Sequence, residues 1–367
     1  MDHPGDVSRL RELIDTGSID PSTVVASIGK TEGNGGANDF TRALASLQVA
    51  SVLADALAIT SEEVLSRVAL VWSGGCEGVL SPHMTVFTST EDRAPAPVHG
   101  GPRSSSLPGR LALSVQRTRT IAPWEIGRMP EVEEVATAVA RALDELGVSG
   151  RDVHYVQVKG PLLTPAGISK AVARGHGVVT GDPNRSKAFA RGATALGVAI
   201  GLGEIAAENV VEDQIARDME LYSSVASTSA GGELTDCEVI VFANSPNASG
   251  RLRIGHGVLR DAVDVAGVCD ALRVAGLNCT AELDSAERTR IAAVFAKAEA
   301  PPDGLLRGYR TTMLSDADIN YERHARAAVG AVVASVTGDP RIFVSGGTEH
   351  QGPPGEAPIA AIVDVGD

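Results

Sequence analysis

Three apolar runs along the chain each end in a lysine. They are VVASIGK, which ends at Lys30, VHYVQVK, which ends at Lys159, and IAAVFAK, which ends at Lys297. Each run contains β-branched residues and few polar side chains, which is typical of a short buried strand. The pattern therefore predicts three buried strands, each with an ammonium group at its end.

Helical patterns accompany each predicted strand. PEVEEVATAVARALDELG places apolar residues three or four positions apart and ends at Gly147, a helix stop, while LRELIDTG and SAERTR are shorter versions. After each lysine, an aromatic-x-Arg sequence opens an alanine-rich helix. The three copies are FTRALASLQVA with Arg42, FARGATALGVA with Arg191 and YERHARAAVGA with Arg323, where Arg326 is a rival for the matching position.

A serine motif follows each arginine helix. Ser73 begins SGGCE, Ser229 begins SAGGE and Ser345 begins SGGTE. The order of helix, lysine strand, arginine helix and serine strand thus occurs three times, which indicates an internal repeat. The glutamates of the motifs have two interpretations, because each could orient a neighbouring lysine or simply belong to a turn.

The repeat predicts an α/β chain of three units. Stretches rich in Pro, Gly and Ser at 91–109 and 244–251 mark the seams between them. We therefore expect repeat units at 1–105, 112–250 and 255–367. Each unit contributes one lysine, one arginine and one serine.

These three residue types can together bind and attack an amide carbonyl. Serine becomes a nucleophile when a base takes its proton, and a lysine whose pKa is lowered by burial or by a neighbouring guanidinium can be that base. The Gly or Ala after the serine lets a backbone N–H approach a substrate oxygen, and arginine supplies permanently charged donors. Three such sets around a pseudo-threefold axis would suit a small ring with three equivalent carbonyls.

Composition narrows the class of protein. The chain has 367 residues, 43% of them hydrophobic and only 3% aromatic, and a formal net charge of -14, which disfavours nucleic acid or an anionic membrane as partner. With no unbroken apolar stretch near ~20 residues and no basic leader, we expect a cytoplasmic protein. We expect reduced thiols at the four cysteines, since they lack CxxC spacing: Cys76, Cys237, Cys269 and Cys279.

At these motifs the chain resembles the ring-opening amidohydrolases, the family of cyanuric acid hydrolases and barbiturases. The resemblance covers almost the whole chain through strings such as GKTEGNGGANDFTR, SGGCEGVLSPHMTVF, FAKAEAPPDGLLRG and VSGGTEHQGPPG. It implies three similar repeat units, each a β-sheet backed by helices, with the sheets forming a central barrel and the helices outside. It also implies an active site on the pseudo-threefold axis and a homotetramer.

The resemblance also implies roles for individual residues. Ser229 would be the nucleophile and Lys159 the general base, with Ser227 a weaker candidate because it is out of register with the other serines. The other positions that would bind substrate are Lys30, Arg42, Ser73, Gly74, Arg191, Ala230, Lys297, Arg323 or Arg326, Ser345 and Gly346. One departure is Ala230, which stands where the other two motifs have glycine.

A structural cation is a further expectation, although no cofactor is expected for the chemistry. The C-terminal stretch TEHQGPPGEAP is too rich in Gly and Pro for a helix or strand, and its carbonyls with a carboxylate could bind a hard cation. The resemblance implies a magnesium site, with the metal left open as magnesium, calcium or none. Its expected ligands are Glu299 with backbone atoms around Thr348, Gln351, Gly352, Pro353 and Gly355.

Three functions fit these patterns. The first is hydrolysis of cyanuric acid to carboxybiuret, which loses CO2 to give biuret. The second is opening of barbiturate, a cyclic imide with CH2 in place of one N–H, to ureidomalonate. The third is a small-molecule binding protein with a vestigial site, which the intact copies of all three residue types disfavour.

Overall fold

The three predicted lysine strands lie at the centres of three separate sheets. The structure, a computed structural model, describes residues 1–89, 109–346 and 351–366. In the first part of the chain the helices and strands are α1 (Ser8–Asp15), β1 (Val24–Thr31), α2 (Phe40–Leu57), α3 (Ser61–Arg67), β2 (Ala69–Gly74) and β3 (His83–Thr88). The predicted seam at 91–109 lies outside the described residues except for its last position.

The middle and last parts repeat this succession with additions. The middle part contains β4 (Arg110–Arg117), α4 (Met129–Leu146), β5 (Val153–Pro161), α5 (Pro165–Ala173), α6 (Pro183–Gly201), β6 (Ala226–Gly231) and β7 (Glu238–Ser245). The last part contains β8 (Leu252–Leu259), α7 (Val265–Ala275), α8 (Ser285–Arg288), β9 (Ile291–Ala298), β10 (Leu305–Leu306), β11 (Tyr309–Arg310), α9 (Tyr321–Thr337), β12 (Phe343–Gly346) and β13 (Ala357–Asp364).

Local capping explains where the arginine helices begin. The side chains of Asp39, Asp182 and Asn320 each accept a backbone N–H two residues further on, at the starts of α2, α6 and α9. Such caps satisfy N–H groups that have no partner within the helix. The predicted stop is confirmed, because α4 ends at Gly147 in the left-handed conformation with φ of 62°.

Each lysine strand pairs in parallel with the serine strand of its own sheet. The strand orders are β2-β1-β3, β4-β7-β5-β6 and β12-β9-β13-β8. The expected barrel is wrong for the described strands, because each of these sheets is open and no backbone ladder joins one to the next. The sheets instead meet through side chains.

The register of the three sheets agrees residue by residue. Lys30 lies opposite Ser73, Lys159 opposite Ser229 and Lys297 opposite Ser345. Each lysine strand also has a bulge five residues before its lysine, where the pairing skips residues 25, 154 and 292. Because bulges redirect a strand, the three strands are bent at matching places.

A shared aromatic core lies between the sheets. Helices pack on one face of each sheet in separate apolar clusters, whereas the opposite faces contribute to one common cluster. The chain has six Phe and four Tyr, and five of these ten lie in the common cluster: Phe87, Tyr155, Phe242, Phe295 and Phe343. Their neighbouring ring centroids lie 5.2 to 6.2 Å apart. Aromatic packing therefore holds the sheets together where strand pairing does not.

The cysteines depart from expectation. Cys269 in α7 and Cys279 just beyond it form a disulfide with their Cα atoms 5.0 Å apart. Cys76 and Cys237 are free, as expected. The prediction of four reduced thiols is therefore wrong for one pair. The sequence spacing of ten residues concealed it because the chain reverses direction after α7.

Helix α2 is apolar for its length. Its 18 residues have a mean hydropathy of 1.2, so by length and composition alone it could cross a membrane. The same composition suits a helix packed on a sheet, and the buried apolar side chains of α2 join the apolar cluster that includes Leu70 and Trp72 of β2.

Candidate active site

One cavity collects the serines of all three sheets. The predicted residues that line it are Arg42, Ser73, Gly74, Lys159, Arg191, Ser229, Ala230, Arg326, Ser345 and Gly346. The chain segments that carry them are far apart in sequence, and the parallel lysine and serine strands bring them together at their carboxyl ends.

The three lysines join the sheets in a cycle. Each ammonium donates to the carbonyl just before the serine of a neighbouring sheet: Lys30 Nζ to Val344 O at 2.6 Å, Lys297 Nζ to Thr228 O at 2.8 Å and Lys159 Nζ to Trp72 O at 3.5 Å. The first sheet thus bonds the third, the third bonds the second, and the second bonds the first. These side chains take the place of the ladder that a closed barrel would need.

The middle lysine differs from the first in its side-chain partner. Lys30 Nζ lies 3.2 Å from Ser73 Oγ, and Lys297 Nζ lies 3.4 Å from Ser345 Oγ. Lys159 Nζ instead forms an ion pair with Glu233 at 3.3 Å.

The serine of the middle set bonds a backbone carbonyl and forms no hydrogen bond with its lysine. Ser229 Oγ donates to Val158 O at 3.4 Å, although Ser229 and Lys159 are backbone neighbours across the strands. A proton transfer between them therefore needs this hydrogen bond to be replaced by one between Ser229 Oγ and Lys159 Nζ. Ser227, the weaker candidate, is fully buried and bonds Gln157.

Burial prepares two of the lysines to act as bases. Burial, together with the nearby Arg326 guanidinium and against the opposing effect of Glu77, lowers the pKa of Lys30 to about 7. Burial likewise lowers the pKa of Lys159 to about 8, with Glu233 opposing and Arg42 adding to the shift. A substantial fraction of each amine is therefore neutral near physiological pH.

The motif glutamates Glu77 and Glu233 form ion pairs with two arginines and one lysine. Arg326 donates from Nε and Nη2 to the two oxygens of Glu77, at 2.8 and 2.6 Å. Arg42 Nε lies 3.2 Å from Glu233, which is also the partner of Lys159. The two glutamates thus orient cationic side chains rather than serving only as turn residues, and Glu349 lies outside the described residues.

The glycine two positions after the serine makes room for the glutamate. A Cβ on Gly75 or on Gly231 would lie 2.2 Å from the carboxylate of Glu77 or Glu233 respectively. Each glutamate therefore folds back over its glycine, and any larger residue would displace it. This contact explains why the motif needs a small residue two positions after the serine.

Of the two alternatives in α9, only Arg326 lines the cavity. Arg326 is 2% exposed and lines the cavity, whereas Arg323 is exposed and does not line it. The aromatic-x-Arg alignment was misleading because the helices begin at different distances from the cavity. Arg42, Arg326 and Arg191 are the third, sixth and ninth residues of their helices, about one turn apart.

Three residues that line the cavity were not predicted: Gly35, Trp72 and Glu322. Glu322 is buried beside three cations, 3.8 Å from Lys187, 4.0 Å from Arg191 and 3.8 Å from Arg326. Burial would raise the pKa of Glu322, but these cations hold it below its usual value. In the sequence it is only an acidic residue in the first turn of a helix, and its partners on α6 cannot be recognised.

The expected cation ligands are only partly described. Glu299 is buried directly after β9, and Gly352, Pro353 and Gly355 precede β13, while Thr348 lies outside the described residues. The side chain of Gln351 is already bonded to Ala216 N and Asp218 O. Only backbone oxygens of this turn would then join the Glu299 carboxylate, and such a set fits a hard cation. No group of three His, Cys, Asp or Glu within the described ranges forms a metal site.

Comparison with known proteins points to one family. The family model described as "Amidohydrolase ring-opening protein" matches residues 1–364. A cyclic amide hydrolase of Azorhizobium caulinodans is 62% identical, and the alignment covers 99% of this chain and 97% of that protein. A cyanuric acid amidohydrolase of Enterobacter cloacae is 48% identical, with 99% and 96% covered. Barbiturase 1 of a Nocardioides species is 44% identical, with 98% and 96% covered.

A solved structure supports the fold. A cyanuric acid hydrolase structure described as an innovation by structural concatenation superposes with a TM-score of 0.89 at 46% identity. The match covers 99% of this chain and 97% of that one. The mixed α/β architecture is therefore the same in both.

Proposed function

This chain belongs to the ring-opening amidohydrolase family, and we propose that it opens cyanuric acid by hydrolysis. The observation that carries the proposal is the single cavity in which three serines, three arginines and one lysine converge. A flat ring with three carbonyls could present one carbonyl to each sheet. The experiment that tests it is a turnover assay of the purified protein on cyanurate, with CO2 and biuret measured as products.

The proposed chemistry places the nucleophile in the middle set. Neutral Lys159 takes the proton of Ser229 Oγ, the oxygen attacks a ring carbonyl, and the resulting oxyanion accepts backbone N–H groups after Ser229. The C–N bond breaks as protonated Lys159 returns the proton to the leaving nitrogen. Water then hydrolyses the acyl-enzyme to carboxybiuret, which loses CO2 to give biuret.

Exposure to the cavity favours Lys159 over the other two lysines. Lys159 lines the cavity, whereas Lys30 and Lys297 lie behind Ser73 and Ser345 and are not among its lining residues. In this proposal the two outer lysines polarise their serines, which donate to the remaining two carbonyls. A rival proposal makes Lys30 and Ser73 the working pair, because their polar atoms are already 3.2 Å apart.

Barbiturate is the second candidate substrate. The barbiturase is 44% identical to this chain and the cyanuric acid amidohydrolase is 48% identical, so the two identities hardly favour one ring over the other. The relative that is 62% identical has the name cyclic amide hydrolase, which specifies neither ring. Parallel assays on both rings discriminate, because a site that hydrogen-bonds an N–H can reject an analogue lacking it by about 10⁴-fold. Saturable cyanurate binding without CO2 release would instead support a binding protein.

We further propose that the three units 1–105, 112–250 and 255–367 are arranged around a pseudo-threefold axis. The cyclic lysine contacts and the matching registers support this arrangement. Magnesium bound by Glu299 and the turn before β13 would hold that turn against the end of β9. A cytoplasmic homotetramer remains part of the proposal and is tested by sedimentation and by fractionation.

A further inference from the structure

A second, larger cavity lies beside the candidate active site. Its volume is about 450 Å³. Four parts of the middle region line it: the segment 120–126, the end of β5, one side of α5 and the turn between β6 and β7. None of the residues assigned above to the hydrolytic reaction lines this cavity, so the reaction leaves it unexplained.

The walls of this cavity are apolar. Ile121, Ile126, Leu162 and Leu163 are buried residues whose side chains also belong to the middle apolar cluster. Trp124 adds an aromatic wall, and its ring is held in place by stacking on His176 with centroids 4.1 Å apart. A ligand with an apolar body would therefore bury its surface here without displacing polar partners.

Two cations stand on the same side of α5 at this cavity. Lys170 and Arg174 are four residues apart, and both line the cavity with exposed side chains. Arg174 lies over the Trp124 ring, with Cζ 5.7 Å from its centroid. Within the described ranges, no carboxylate forms a salt bridge with either cation. In a chain with a net charge of -14, a pair of unmatched cations beside an apolar cavity selects for an anion.

We infer that this cavity is a second ligand site, for a carboxylate with an apolar body. The apolar walls receive the body, while Lys170 and Arg174 bind the carboxylate. Gly232 and Leu234 form part of the wall, and Glu233 between them bonds Lys159. The bound ligand would therefore contact the same turn that holds the partner of the proposed base.

Sodium octanoate is a suitable probe, with 1-octanol as the uncharged match. On the full chain, calorimetry and Trp124 fluorescence should show saturable octanoate binding, one per chain, and about 10-fold weaker binding of 1-octanol. A Lys170→Gln/Arg174→Gln double variant should reduce octanoate to the affinity of 1-octanol. Ala166→Phe, which adds bulk at an exposed lining position, should block both ligands.

Arg185→Gln is the matched control, because Arg185 is exposed on α6 and does not line the cavity. It should leave octanoate binding unchanged, and circular dichroism should show that all variants are folded. Absence of saturable octanoate binding, or binding that survives both cavity variants, would overturn the inference. So would a change of sedimentation mass in Ala166→Phe, because a second copy of the chain would then cover the cavity. The readout is binding, so it is independent of cyanurate turnover.

Discussion

The first and the middle serine sets share a backbone and differ in their side-chain partners. In both, the lysine lies opposite the serine in parallel strands and bonds a carbonyl of another sheet. In the first set both carboxylate oxygens of Glu77 accept hydrogen bonds from Arg326, and Lys30 donates to Ser73. In the middle set Glu233 is shared between Arg42 and Lys159. The two sets thus share the same strand register. They differ in whether the glutamate of the motif pairs with the lysine.

Removal of the serine hydroxyls should give the largest difference in activity between the middle set and the other two. Ser229→Ala should lower kcat on the ring substrate by at least about 10⁴-fold, because loss of a covalent nucleophile leaves only binding and electrostatic terms. Ser73→Ala and Ser345→Ala should each cost about 10²-fold, as expected for loss of one donor to a substrate oxygen. Steady-state kinetics of the three matched variants measures the difference. Equal losses in all three would contradict a special role for the middle set.

Substitution of the arginines in α9 tests which of them corresponds to Arg42 and Arg191. Arg326→Ala should lower kcat/KM by roughly 10²-fold or more, because it deletes a buried donor and leaves the Glu77 carboxylate without its bidentate partner. The neighbouring variant Arg323→Ala should change kcat/KM by less than about 2-fold, as is usual for an exposed residue away from a site. If Arg323→Ala proved the more damaging, the assignment of the cavity arginine would be wrong.

The pH dependence of turnover should follow Lys159. The base must be neutral, so kcat/KM should rise as pH increases through about 8 and fall away below it. Glu233→Gln removes the group that raises this pKa, so the rising limb should move to lower pH. Glu77→Gln is the matched control and should leave the limb in place. A limb that responds to Glu77→Gln and ignores Glu233→Gln would favour Lys30 as the base.

Adding a methyl group at Gly231 should shift the pH dependence of kcat/KM in the same way, by a smaller amount. In Gly231→Ala the new Cβ would lie 2.2 Å from the Glu233 carboxylate and would push it away from Lys159. The pH limb should therefore move in the same direction as in Glu233→Gln, and by less. Thermal melting checks that the fold survives. Combining both changes should add nothing to the Glu233→Gln shift, whereas an additive shift would show that the glycine acts in another way.

Much of the site could be predicted from local patterns, and the failures concern contacts between distant segments. The lysine strands, the arginine helices and the serine motifs each have a local signature, and repetition revealed that they belong together. The exposed Arg323 was proposed because a sequence alignment of helix starts ignores where each helix lies. Glu322 was missed because its cationic partners belong to another helix. The disulfide and the open sheets likewise depend on contacts between separate segments of the chain, and these contacts cannot be predicted from local sequence patterns.

The most direct test of the central claim is to find which serine carries the acyl group. The reaction with cyanurate would be quenched with acid within the first turnover, and the peptides that contain Ser73, Ser229 and Ser345 would be compared by mass spectrometry. The account predicts a ring-derived adduct on the Ser229 peptide that disappears in Ser229→Ala and persists in Ser73→Ala. An adduct on the Ser73 peptide instead would contradict it and place the chemistry with Lys30.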